Sequence, residues 1–138
     1  MSPFSIDVIN AHPSTRLRRA GIIDAVRRVF AGEGIAEAAA NIILVSDPAL
    51  HEMNRTFLGH DYQTDVITFR LEDDPLEGEI YISVDRAREQ AREYRVGMYE
   101  EIHRLATHGA LHLAGYDDAS PAEREAMRRL EDHYLGKN

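Results

Sequence analysis

His108-Gly-Ala-Leu-His112-Leu-Ala-Gly115-Tyr-Asp-Asp118 is the stretch around which the rest of the chain is organised. Histidines four apart sit one turn above the other on a helix and project from the same face, the geometry a zinc ion asks of two imidazoles. Gly115 can take the left-handed conformation that stops a helix, so the next polar side chains can fold back toward the pair. Asp117 or Asp118 can then supply a third ligand. Three protein ligands with a fourth position open describe a catalytic rather than a structural zinc site. A histidine pair also arises by chance in a chain with seven histidines. The glycine and aspartates at ligand-compatible offsets, and the lack of any cysteine, turn the balance toward metal.

The spacing H-x-x-x-H-x-x-G-x-x-D follows the metzincin ligand pattern except at Gly109, which stands where those peptidases carry their glutamate base. Peptide hydrolysis by that route has no base here. The fuller string H-G-x-L-H-L-x-G-Y-D resembles the signature of the YbeY family, bacterial metal-dependent endoribonucleases implicated in ribosomal RNA maturation. That family commonly closes the string with a third histidine, and Asp118 occupies the corresponding position. The resemblance therefore implies His108, His112 and Asp118 as ligands of one zinc ion per chain, on a zincin-like metal-binding helix.

Further segments extend the likeness over about the last two-thirds of the chain. Met53-Asn54 through Phe57, then Asp61, Thr64-Asp65-Val66-Ile67-Thr68-Phe69 and Gly78-Glu79-Ile80-Tyr81-Ile82-Ser83 are similar, in order, to the family's N-x-x-[YF], T-D-V-[LI]-[ST]-F and G-D-I-x-I-S. Leu58 stands where the family often has an arginine, and Glu79 stands for Asp. With that arginine absent, His60, Arg86 and Arg88 are the candidates for a cation at the reacting phosphate, and His60 and Arg86 are assigned as catalytic. Thr64-Asp65 is read equally well as an Asx-type turn and as part of the site.

At 138 residues the sequence suits one domain, taken as 1–138. Sixteen basic against 24 acidic residues leave a formal net charge of −8, so cationic charge for phosphate must be local. The absence of cysteine leaves only nitrogen and oxygen to hold a metal and fits a reducing compartment. No apolar run approaches a membrane span, and Met1-Ser-Pro-Phe-Ser-Ile-Asp lacks the regions of a signal peptide, so a cytoplasmic protein without a membrane partner is expected.

Periodicity supplies the frame. Phe4-Ser-Ile-Asp-Val-Ile alternates as a strand. Ser14 or Thr15 is expected to cap a helix with Leu17, Ala20, Ile23, Val26 and Phe30 inward, ending at Gly32, with Arg16, Arg18, Arg19, Arg27 and Arg28 on its outer face. Asn41-Ile-Ile-Leu-Val-Ser reads as a central strand buried on both faces. Asp47 then caps a helix with Pro48 first and Leu50, Met53 and Phe57 inward, closed by Gly59. A hairpin is expected from Thr64–Phe69 and Glu79–Ser83 across a turn at 72–78. Ser83 begins a helix striped with Val84, Ala87, Ala91 and Tyr94, interrupted at Val96-Gly97. The metal helix follows over 98–114, with Leu105 on the side of His108 and His112. Ser120 and Pro121 open a last helix carrying Ala126, Met127, Leu130 and Tyr134. The sum is an α/β fold, a single mixed four-stranded sheet packed with about five helices.

The functional expectation is a zinc-dependent, single-strand-specific endoribonuclease, a phosphodiester hydrolase. By the resemblance, it acts in maturation of the 16S ribosomal RNA 3′ end and in ribosome quality control, with single-stranded ribosomal RNA, the small ribosomal subunit and assembly factors as partners, and no DNA. Water and the RNA 2′-hydroxyl both remain open as nucleophile. The alternatives are a ribosome-assembly binding factor with a structural metal and a metzincin-like metallopeptidase.

Overall fold

Four of the apolar runs pair into one mixed sheet in the computed structural model, which describes residues 2–137; Met1 and Asn138, the ends of the expected 1–138 domain, lie outside the described residues. The strands are β1 (Phe4–Asn10), β2 (Ala38–Val45), β3 (Val66–Asp73) and β4 (Leu76–Ser83), in the order β1-β2-β4-β3. β1, β2 and β4 are parallel, and β3 returns antiparallel on β4 as the expected hairpin. The helices among the described residues are α1 (Ala20–Gly32), α2 (Asp47–Leu58), α3 (Val84–Tyr94), α4 (Met98–Leu113) and α5 (Pro121–Tyr134). Together they form a single α/β domain.

Strand alternation sorts the helices onto two faces. Ala38, Ala40, Ile42 and Leu44 of β2, with Ile80 and Ile82 of β4, point into the main core, where α1, α3, α4 and α5 contribute Val26, Phe30, Ala87, Leu105, Leu111 and Met127. Val45, Leu50 and Ile67 form a smaller cluster on the far face, under α2. β2 is interior to the sheet, as expected, but only its C-terminal part is covered on both faces, because a single helix covers the far side; Asn41 is exposed.

Several local expectations are corrected. Residues 11–19 are not helical: His12 Nδ1 accepts the Ser14 and Thr15 N–H groups, and the Arg18 N–H donates to the Tyr99 hydroxyl, so side chains hold this backbone and α1 starts at Ala20. Its buried stripe is Ile22, Ala25, Val26, Val29 and Phe30, while Ala20 is exposed. Arg16 and Arg18 precede the helix, Arg19 is its N-cap, and Arg28 pairs with Asp24, so the expected arginine face is split. Ser46 rather than Asp47 caps α2, accepting from the Ala49 N–H, which places Asp47 and Pro48 in the first turn. Phe57 is 67% exposed, and Asn54 takes the inner position expected for it. The hairpin strands run longer than expected and meet in a tight turn at Asp74-Pro75. Tyr94 and Ala126, both expected inward, are exposed: Tyr94 is the last residue of α3, beyond its buried stripe, and Ala126 sits beside the buried Met127 rather than on its face. The capping box at Ser120 and Glu123 opens α5 where the sequence placed it.

Two glycines set the metal helix. A Cβ on Gly109 would lie 2.6 Å from Ile80 Cγ2, so α4 seats on β4 only with glycine there. Position 109 faces the sheet, and no glutamate base fits it. Gly115, at φ 109°, turns the chain back after α4. Among the described residues no helix is long and apolar enough to cross a membrane.

Candidate metal centre

His108 and His112 emerge from one face of α4, and the loop after Gly115 brings Asp118 to them. His108 Nε2 and His112 Nε2 are 3.0 Å apart, and Asp118 Oδ2 lies 3.2 Å from the first and 3.5 Å from the second. Ligands at about 2.0–2.1 Å around a tetrahedral ion are separated by about 3.3 Å, so this triangle has the size such an ion requires. Asp118, not Asp117, therefore completes the set, and these three side chains could hold a metal ion.

The acceptors facing each Nδ1 set the sense of the arrangement. His108 Nδ1–H donates to Glu131 Oε2 at 2.7 Å, and His112 Nδ1–H donates to the Tyr116 carbonyl at 2.9 Å. In the tautomer with Nδ1 protonated, the Nε2 lone pairs of the two rings face one another and a carboxylate. Three acceptors that close repel unless a cation lies between them.

Electrostatics point the same way. Burial pushes the His108 pKa down, yet the hydrogen bond and charge of Glu131, with the charges of Asp118 and Asp65, outweigh it and hold the pKa above the usual histidine value. The pocket favours positive charge, whether proton or metal. Glu131, 5% exposed, divides its carboxylate between His108 and Arg104, and Arg104 also bonds the buried Glu101. The Glu101 hydrogen bonds, against the cost of burial and with help from Glu131, raise the Arg104 pKa. That pair fixes Glu131, and Glu131 fixes the His108 ring.

The three side chains stand in the wall of a cleft of about 540 Å³, whose other walls include Leu58, His60, Tyr62, Asp65, Arg70 and Tyr116. Residues 59–65, which carry His60, are tied down by the family-like segments. Buried Asn54 donates to the Tyr62 carbonyl at 2.9 Å, His51 bonds Asp61 at 2.9 Å, and Asp65 accepts from Ser83 N–H and from Gln90. His60 lies in the cleft, stacked on Tyr62 with its Nδ1 3.0 Å from the Tyr62 hydroxyl. Arg86 does not line the cleft: it lies near Asp47 and Glu89 and donates to Gln63 in the connector. Arg88 donates to the Thr15 hydroxyl, also away from the site.

Sequence reasoning missed Glu131, Glu101 and Arg70. Glu131 follows Met127 by four residues, so a carboxylate sat on the inward stripe of the last helix; Glu101 likewise precedes Leu105 by four. Charge on an apolar stripe was the available signal. Arg70 carried none beyond its place in a strand.

A profile of the family described as Endoribonuclease YbeY matches residues 10–138. The chain is 34% identical over 143 residues to a Salinibacter ruber protein named Endoribonuclease YbeY, covering 96% of this chain and 91% of that one. It is 42% identical over 130 residues to a protein of the same name from Chlorobium phaeovibrioides, covering 92% and 88%. The solution structure of TM1509 from Thermotoga maritima is similar at a TM-score of 0.65 and 30% identity, over 95% of this chain and 89% of that one.

Proposed function

This chain belongs to the YbeY family, and from that premise we propose that residues 1–138 form one zinc-dependent endoribonuclease domain acting on single-stranded RNA in ribosomal RNA maturation. The observation that carries the chemistry is the convergence of His108 Nε2, His112 Nε2 and Asp118 Oδ2 in a cleft wall. Histidine and carboxylate donors in a tetrahedral-sized triangle suit zinc, with one ion per chain. A zinc ion bound there supplies Lewis acidity, lowering the pKa of water toward neutrality and offsetting charge on a phosphate oxygen.

The protein's own groups orient and exclude. Glu131 and the Tyr116 carbonyl hold both imidazoles in the Nδ1–H tautomer, leaving Nε2 as donor atoms. His60 at the rim is the catalytic side chain proposed for the substrate side, a cation when protonated. Arg86 acts through another group: its bond to Gln63 anchors the connector that presents His60. Cytoplasmic residence and work beside the small ribosomal subunit and its assembly factors, on the 16S 3′ end, belong to the same proposal.

Two other readings have less support. A peptidase needs a base where Gly109 abuts Ile80. A binding factor with a structural metal would close the fourth position, whereas all three ligand residues line an open cleft. The test is cleavage of single-stranded RNA by protein purified without chelator, with zinc measured in the same sample. Near one zinc per chain, with cleavage abolished by chelation and restored by zinc, supports the reading. Cleavage that continues at full rate in metal-free protein refutes it.

A further inference from the structure

A cleft that takes a phosphodiester needs a fixed cation, and the walls of this one carry Asp65, Asp117 and Asp118. Leu58 lines it without charge. Among the lining residues Arg70 is the only lysine or arginine. On the other side of His108 and Asp118 a smaller cleft holds Arg104, Arg124 and Arg128. Each of those is engaged, with Glu101 and Glu131, with the Asp118 and Ala119 carbonyls, and with Glu125.

The fold places Arg70 deliberately close to the metal helix. It pairs with Gly78 across the hairpin, at a register shift between Arg70 and Glu72 of the kind that re-aims a side chain. A Cβ on Gly78 would collide with the Leu113 side chain, so glycine there lets the end of α4 settle on the sheet. Arg70 Nη2 then donates to the Leu113 carbonyl at 2.6 Å, next to His112 in sequence. That bond uses one of five N–H donors. Arg70 also forms an ion pair with Asp73, 3.5 Å from Nε to a largely exposed carboxylate, a solvated surface contact that is weak and that a phosphate can displace.

We infer that Arg70 is the phosphate-binding residue of this cleft, pinned by the α4 carbonyl so that the rest of its guanidinium meets a non-bridging oxygen of the RNA held at the metal centre. The inference rests on the endoribonuclease reading, and it assigns to β3 the cation that Leu58 lacks. A planar fork suits this task better than an ammonium.

R70A, R70K, the double variant L58R/R70A and, as a control, R27A, an exposed arginine of α1 in neither cleft, are compared with the wild type. Zinc content, cleavage kinetics and the salt dependence of RNA affinity in chelated protein are measured. R70A is expected to keep its zinc, to lose about 100-fold in kcat/KM and to flatten the slope of log K against log salt by about 0.7, the share of one phosphate contact on a single strand. R70K should retain the slope but regain only part of kcat, and L58R should restore both in the R70A background. R27A should leave kcat unchanged. Wild-type slope and kcat in R70A would overturn the inference, as would losses that follow falling zinc content and resist L58R, since Arg70 would then only cap α4. If the wild type binds RNA without cleaving it, the endoribonuclease reading falls while the slope still decides Arg70; if it does neither, both fall.

Discussion

Among the described residues, a cluster of histidine and carboxylates around His12 is closed on itself, whereas the one around His108 could hold a metal ion. At the C-terminal ends of β2 and β4, His12 accepts two backbone N–H groups at Nδ1 and donates from Nε2 to Asp85 at 2.9 Å. Asp85 accepts the Asp47 N–H, and Ser83 donates to Asp47. Those hydrogen bonds close on one another, so the cluster joins residues 11–19 to α2 and α3. At the metal centre the same residue types aim three acceptors at one point, with their protons spent outward on Glu131 and Tyr116. Composition does not separate these clusters; the direction of the lone pairs does.

Replacing one residue in each cluster should break the comparison most visibly. His112→Ala is expected to lose bound zinc and reduce cleavage to background, as read by metal analysis and an RNA assay, while thermal stability without metal changes little. Retained zinc at one per chain would mean the ligands lie elsewhere. Glu131→Gln keeps the shape of the carboxylate but weakens its hold on His108 and Arg104. Zinc affinity, by competition with a chromophoric chelator, should fall about 10–100-fold, and an unchanged affinity would reduce Glu131 to a packing residue.

His12→Ala tests the closed cluster. It should cost about 1–2 kcal/mol of unfolding free energy in a denaturant titration, with zinc content untouched; loss of zinc would show that the clusters are coupled. The smallest effect concerns pH. His103 sits against Gly21 of α1, and burial, with Arg28 and Arg18 nearby, holds its pKa below the ordinary 6.5. A depressed histidine pKa gives stability present above the unfolded value and lost as pH falls through the folded one. The wild type should therefore weaken modestly on acidification below about 6.5, and His103→Asn should flatten that part of the profile. An identical profile in the variant would assign the acid response to other groups.

Much of the frame was legible because it is local. Helical spacing put His108 and His112 together, and Ser120-Pro121 and Gly115 marked boundaries through backbone preferences that need no distant partner. Residues 11–19 misled because Tyr99, 81 positions from Arg18, competes for the backbone. Phe57 misled because the far face of the sheet has one helix over it, so the stripe on α2 ends before its last turn is covered.

The sequence by itself determined the order of elements, the helical histidine pair, the absence of thiolate ligands and the family, because these follow from residue type and short spacing. Tertiary structure alone decided that Glu131 and Arg104 stand behind the histidines and that Arg70 rather than Arg86 borders the cleft, and it supplied the geometry for the Asp118 ligand that the family resemblance had implied. Those relations join residues far apart in the chain, and hydrogen bonds and lone pairs acquire direction only once the sheet and helices have packed.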